Sequence, residues 1–118
     1  MIKTAVIGYG LSAKTFHLPF IQLQAELELV AISSSQPQLR LDYPELKHYQ
    51  NAEELILESD AELVVITSPN DSHYPLAKQA LLSKKHVLVE KPFVLTEAEG
   101  KELFALASTQ QRQLIVYH

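Results

Sequence analysis

A chain of 118 residues with 47% hydrophobic and 20% charged side chains has the size of one globular domain that buries a core of its own, which excludes a disordered tail. A formal charge of -4 and a pI near 5.7 exclude the basic footprint that nucleic acid or anionic lipid requires, and the cations do not cluster beyond the pair Lys84-Lys85. Zero cysteines exclude disulfides, thiolate metal sites and cysteine nucleophiles. No apolar run reaches membrane-helix length, and the first ten residues read as a strand and a glycine turn rather than a charged leader. A soluble, cytoplasmic protein without nucleic-acid or membrane partners is therefore expected.

Strand runs alternate with helical patterns along the whole length, so a doubly wound α/β fold is predicted, a parallel sheet with helices on both faces. The first strand, Thr4 to Ile7, feeds into Gly8-x-Gly10-x-x-Ala13. Phe16, Phe20, Leu23 and Leu27 then recur at helical spacing. Pro19 lacks the N–H that a continuous helix would use, which predicts a short first turn and a fresh start near it. The second strand, Leu27 to Ile32, is expected to be buried on both faces and opens into the loop Ser33-Ser34-Ser35-Gln36-Pro37. A brief strand near Lys47 to Tyr49 leads to a helix with Asn51 as N-cap and Glu54 three residues on.

Another strand, Glu62 to Thr67, ends at Ser68-Pro69-Asn70-Asp71. Leu76, Ala77, Ala80 and Leu81 mark the next helix, whose first turn can hold Pro75. His86 to Glu90 is a strand stopped by Lys91-Pro92. Thr96-x-x-Glu99 forms a capping box ahead of Leu103, Phe104, Leu106 and Ala107, so the last helix starts near Glu97. A final strand, Leu114 to Tyr117, runs off the end at His118, and a chain stopping there reads as truncated.

The stretch Gly8, Tyr9, Gly10, Leu11, Ser12 and Ala13 points to a dinucleotide site. Gly8 permits the tight turn, Gly10 lets the backbone approach a pyrophosphate without a Cβ in the way, and small Ala13 lets the following helix pack closely on the strand. The phosphates would lie at that helix's N-terminus, where unpaired N–H groups and the dipole favour an anion. An ordinary tight turn between strand and helix is the plainer alternative.

About twenty positions on, an Asp or Glu would hydrogen-bond an adenosine ribose. Here Ser33 and Ser34 occupy that place. Hydroxyls accept a 2′-phosphate that an acid would repel, which favours NADP over NAD. Arg40 is a candidate counter-cation, although it lies seven positions beyond Ser33 with a proline between. Thr67, Ser68, Pro69, Asn70 and His73 follow one strand and Glu90, Lys91 and Pro92 another, both leading to the edge that carries the glycine turn. Lys91, followed by proline, is suited to polarise a substrate oxygen or to transfer a proton if burial lowers its pKa. A solvated turn lysine is the alternative, and Asn70 or Asp71 could equally serve as the N-cap of the next helix. His17 and His73 are lone histidines near helix starts, and no metal is expected.

These motifs together resemble the N-terminal half of the Gfo/Idh/MocA oxidoreductases, the glucose-fructose oxidoreductase and inositol dehydrogenase superfamily. Gly8-Tyr9-Gly10 with Ala13, Lys14-Thr15-Phe16-His17-x-Pro19, Thr67-x-Pro69-Asn70-x-x-His73 and, most specifically, Glu90-Lys91-Pro92 carry the resemblance over all 118 residues. It implies a Rossmann NAD(P)-binding domain over residues 1–118, cut from a homo-oligomeric enzyme whose C-terminal substrate and dimerisation domain is missing. It also implies hydride transfer between nicotinamide and a CH–OH group of a sugar or polyol, with Lys91 beside both and the Pro-Asn-x-x-His turn lining the cofactor ribose. A fragment without that second half is expected to be inactive alone. A non-catalytic NAD(P)-sensing regulator of the same superfamily is the alternative.

Overall fold

The computed structural model describes residues 1–10, 13, 17–90 and 96–117, without the side chains of Asn70 and Tyr117. Six parallel strands form one sheet: β1 (Ile2–Ile7), β2 (Leu27–Ser33), β3 (Lys47–Tyr49), β4 (Leu63–Ile66), β5 (His86–Glu90) and β6 (Leu114–Tyr117), in the order β3-β2-β1-β4-β5-β6. The helices between them are α1 (Leu18–Leu23), α2 (Gln38–Asp42), α3 (Ala52–Glu58), α4 (His73–Leu82) and α5 (Glu97–Gln110). The chain winds outward from β1 through β2 to β3, returns to β4 and winds the other way. The crevice at that reversal, between the carboxyl ends of β1 and β4, is where such sheets bind ligands.

Period-2 alternation sorts the strand residues onto two apolar layers. Ala5, Ile7, Val64, Ile66, Val87 and Val89 face α3, α4 and α5, whereas Val6, Ile32 and Val65 face α1 and α2 through Leu18, Ile21 and Leu39. Both faces being covered explains the near-continuous apolar runs of the central strands. Each large side chain buried in these layers, such as Leu55, Leu81 or Leu103 at 0% exposure, contributes about 1.5–3 kcal/mol of transfer free energy.

Local signals fix several ends. Asn51 Oδ1 accepts from the Glu54 N–H at 2.8 Å, Thr96 Oγ1 accepts from the Glu99 N–H at 3.1 Å, and α1 begins around Pro19 as its missing donor demands.

Elsewhere the structure corrects the expectations. In α1 the residues turned inward are Leu18 and Ile21, while Phe20 is 58% and Leu23 83% exposed. The restart at Pro19 leaves two apolar pairs at helical spacing, and only one can face the sheet. Phe16 lies outside the described residues. Phe104 is half exposed beside buried Leu103 and Ala107. β2 is buried only over Ala31–Ser33, because β3 is three residues long and pairs with that end alone. The segment after Pro37 coils into α2, which sequence periodicity did not indicate. Asn70 and Asp71 do not cap α4. They belong to a 3-10 turn, Asn70–Ser72, and Ser72 holds the N-cap position, its hydroxyl bonded back to Pro69 and Ser68 rather than capping the helix.

Candidate functional site

Four strand ends, those of β1 to β4, meet at the carboxyl edge and are laced together. The Gly8 N–H donates to the Ser33 carbonyl at 2.9 Å, the Thr67 N–H and hydroxyl both donate to the Ile7 carbonyl at 2.9 Å, and the Ser34 N–H donates to the Tyr49 carbonyl at 3.0 Å. Above this lacing lies a cavity of about 620 Å³, lined by Gly8, Tyr9, Gly10, Ser33–Gln36 and Thr67–Pro69 among others. Its volume is within the range of small-molecule and cofactor sites.

The two glycines serve it differently. Gly8 has φ +103°, and a Cβ there would stand 2.6 Å from Thr67 Oγ1, so glycine is required by the turn itself. At Gly10 an added Cβ would meet no atom of the described residues beyond its chain neighbours within 4 Å. Space that none of the described residues fills, on the wall of a cavity, is what a cradle for a ligand's phosphates needs, so the residues present fit a dinucleotide. Ala13, fully buried beneath the turn with Val6 and Leu18, supplies the close packing expected of a small residue.

Ser33 is buried on the cavity wall and Ser34 is half exposed, its Oγ accepting from the Gln36 N–H at 3.0 Å. A side recess of about 180 Å³ opens beside them, lined by Ser34–Pro37, Arg40, His48 and Gln50 among others. The coil of α2 therefore brings Arg40 next to the serines despite the intervening residues. Neither the cavity nor the recess is lined by an Asp or Glu among the described residues.

On the other wall, Ser68 Oγ lies 2.6 Å from Ser72 Oγ, and the Ser72 N–H donates to the Pro69 carbonyl at 2.9 Å. His73 stands behind this turn at 2% exposure, its Nε2–H donating to the Ser68 carbonyl at 2.9 Å. A carbonyl can only accept, which fixes the tautomer. His73 thus holds the turn from behind the wall. Glu90 ends β5, and its Oε2 lies 3.5 Å from Nε2 of nearly buried His17. Leu11, Ser12, Lys91 and Pro92, with His118, lie outside the described residues, as does the side chain of Asn70.

Sequence reasoning placed the glycine turn, both serines and Thr67–Pro69 on one cavity. It missed Gln36, Gln50 and the side-chain partner of Tyr9, Asp42, which is 33 positions away.

Comparison with known proteins agrees with this geometry. A family model for the oxidoreductases with an NAD-binding Rossmann fold, GFO_IDH_MocA, matches residues 2–118. The uncharacterized oxidoreductase YdgJ of Escherichia coli is 42% identical over 99% of this chain and 34% of its own length. The scyllo-inositol 2-dehydrogenase (NADP(+)) IolW of Bacillus subtilis is 33% identical over 99% of this chain and 33% of its own. A crystal structure from Klebsiella pneumoniae superposes with a TM-score of 0.96 at 43% identity, over 100% of this chain and 35% of that one. The chain thus spans about a third of the length of the relatives it matches. No helix among the described residues is long and apolar enough to cross a membrane.

Proposed function

The chain belongs to the Gfo/Idh/MocA family of oxidoreductases with an NAD-binding Rossmann fold, and on that premise we propose that its cavity takes NADP in preference to NAD. The observation that carries this is the pairing of open space at Gly10 with an acid-free rim, Ser33 to Gln36, flanked by Arg40. Gly10 would leave room for the pyrophosphate. Ser34 and Arg40 receive the adenosine 2′-phosphate, the hydroxyl by hydrogen bonding and the guanidinium by charge. Thr67, Ser68, Pro69 and Asn70 border the nicotinamide ribose, with His73 holding their turn in shape.

In a protein of the relatives' full length, the reaction is oxidation of a CH–OH group on a sugar-like or polyol substrate, or its reverse. When bound, a nicotinamide would supply the hydride acceptor or donor for this reaction. Lys91, next in the chain after β5, exchanges the hydroxyl proton and stabilises charge on the reacting oxygen. The polyol class is supported by the inositol named for one relative and by Glu90-Lys91-Pro92. The remaining two thirds of such a protein supply the substrate walls and a homo-oligomer contact.

Lys91→Ala in that longer protein tests the reading. Turnover falls by roughly 10²-fold or more while cofactor affinity changes little, because a group acting on the reacting oxygen works mainly in the transition state. Unaltered turnover in steady-state kinetics contradicts a catalytic Lys91 and favours a cofactor-sensing module.

A further inference from the structure

Tyr9 stands between the two glycines of the turn, and its backbone and side chain face different neighbours. The backbone runs along the cavity, while the ring is buried at 4% exposure in the apolar layer beneath α1 and α2. A buried phenol needs an acceptor. It finds one in Asp42, the last residue of α2, donating from Oη to Oδ2, and the Tyr43 ring meets it edge-on with centroids 6.2 Å apart.

The other carboxylate oxygen of Asp42 accepts from Gln38 Nε2 at 2.9 Å. Gln36 Nε2 donates to the Tyr9 carbonyl, also at 2.9 Å. Tyr9 is thus bonded to both ends of the segment from Gln36 to Asp42, which carries Gln36 and Arg40 to the rim of the recess. Burial, together with the facing carboxylate, pushes the phenol pKa up, so the phenol remains a donor at neutral pH.

Asp42 is the one acid in α2, and it lines neither the cavity nor the recess. An acid reaching the adenosine 2′ position would repel a phosphate there. We propose that Tyr9 is the positioning residue for 2′-phosphate selectivity: its phenol sequesters the Asp42 carboxylate and fixes α2, so that the rim offers hydroxyls and a guanidinium to the ligand and no anion. This rests on the reading of the cavity as a dinucleotide site.

The test is calorimetric titration with two probes, 2′,5′-ADP and 5′-AMP, which differ in the 2′-phosphate alone. Binding is measured for the parent chain, Tyr9→Phe, and Tyr9→Phe combined with Asp42→Asn, each checked for folding by thermal melting. Tyr9→Phe is expected to weaken 2′,5′-ADP by about tenfold, the effect of losing one hydrogen bond to a charged group, and 5′-AMP by less than about twofold. Adding Asp42→Asn recovers most of the loss, because the released group is no longer an anion. A ring with a purely structural role would weaken both probes alike and show no such recovery, and either result overturns the proposal. A parent chain that binds neither probe overturns the dinucleotide reading and this inference together, and that failure shows before any variant is made.

Discussion

At the amino edge of the sheet long charged side chains tie the chain, whereas its carboxyl edge is finished with glycine, serine and threonine. Nearly buried Lys85 donates to the carbonyls of Ser59 and Ala61 at 3.2 and 2.7 Å, and Lys3 pairs with Asp60 at 2.8 Å. The Lys85 ammonium is buried against those carbonyls, whereas the Lys3–Asp60 pair is exposed. Backbone N–H and carbonyl groups lace both edges, but at the carboxyl edge the Thr67 hydroxyl is the side-chain donor and a cavity stands above the strand ends. The two edges thus differ in what finishes them, charged side chains on one and small residues below a cavity on the other.

Substitutions at the two edges sharpen this division, and the largest effect is expected at Gly8. Gly8→Val forces a β-branched residue to φ +103° and a Cβ against Thr67 Oγ1, costing about 3 kcal/mol or more through backbone strain and overpacking. Denaturant unfolding should show a parallel loss of stability and cofactor binding; an unchanged midpoint would refute the role given to that turn.

Ser34→Asp leaves the fold in place and changes the ligand. A carboxylate at the rim repels the 2′-phosphate and pairs with a free ribose hydroxyl, so the NADP to NAD affinity ratio should fall by about tenfold. Competition binding reads it directly, and a parent that already prefers NAD by a wide margin contradicts the argument at its first step.

The smallest effect belongs to the amino edge. Lys85→Met leaves two carbonyls without their donor and removes a buried charge, for a net loss of about 1 kcal/mol without effect on cofactor affinity. Burial pushes the Lys85 pKa down, against the pull of Asp60. The unfolded chain therefore holds this proton more tightly than the folded one, and Lys85 makes stability rise with pH between its depressed folded pKa and its unfolded value of about 10.4. In Lys85→Met that contribution disappears, and thermal melts across alkaline pH measure the difference.

Much of this was legible in the sequence because it depends on residues close in the chain. The six strands, the Asn51 and Thr96 caps, the restart at Pro19 and the glycine turn each follow from local steric or hydrogen-bonding rules. What escaped depends on distance. α2 has five residues and one fully buried apolar side chain, Leu39, too few to show a period. Phe20 and Leu23 match helical spacing as well as Leu18 and Ile21 do, and only the sheet decides between them. Tyr9 and Asp42 are 33 positions apart, and nothing local marks them as partners. The cavity could be located from strand ends alone, whereas the recess holding Arg40 required the unseen helix.

The measurement that bears most directly on the cavity is calorimetry of NADP binding to the parent chain and to Gly10→Val, with melting temperatures taken alongside. Because an added Cβ at Gly10 meets no atom of the described residues beyond its chain neighbours within 4 Å, the variant is expected to melt like the parent. Its side chain would stand where the pyrophosphate lies, so NADP binding should be abolished. Equal NADP affinity in variant and parent would contradict a dinucleotide in this cavity.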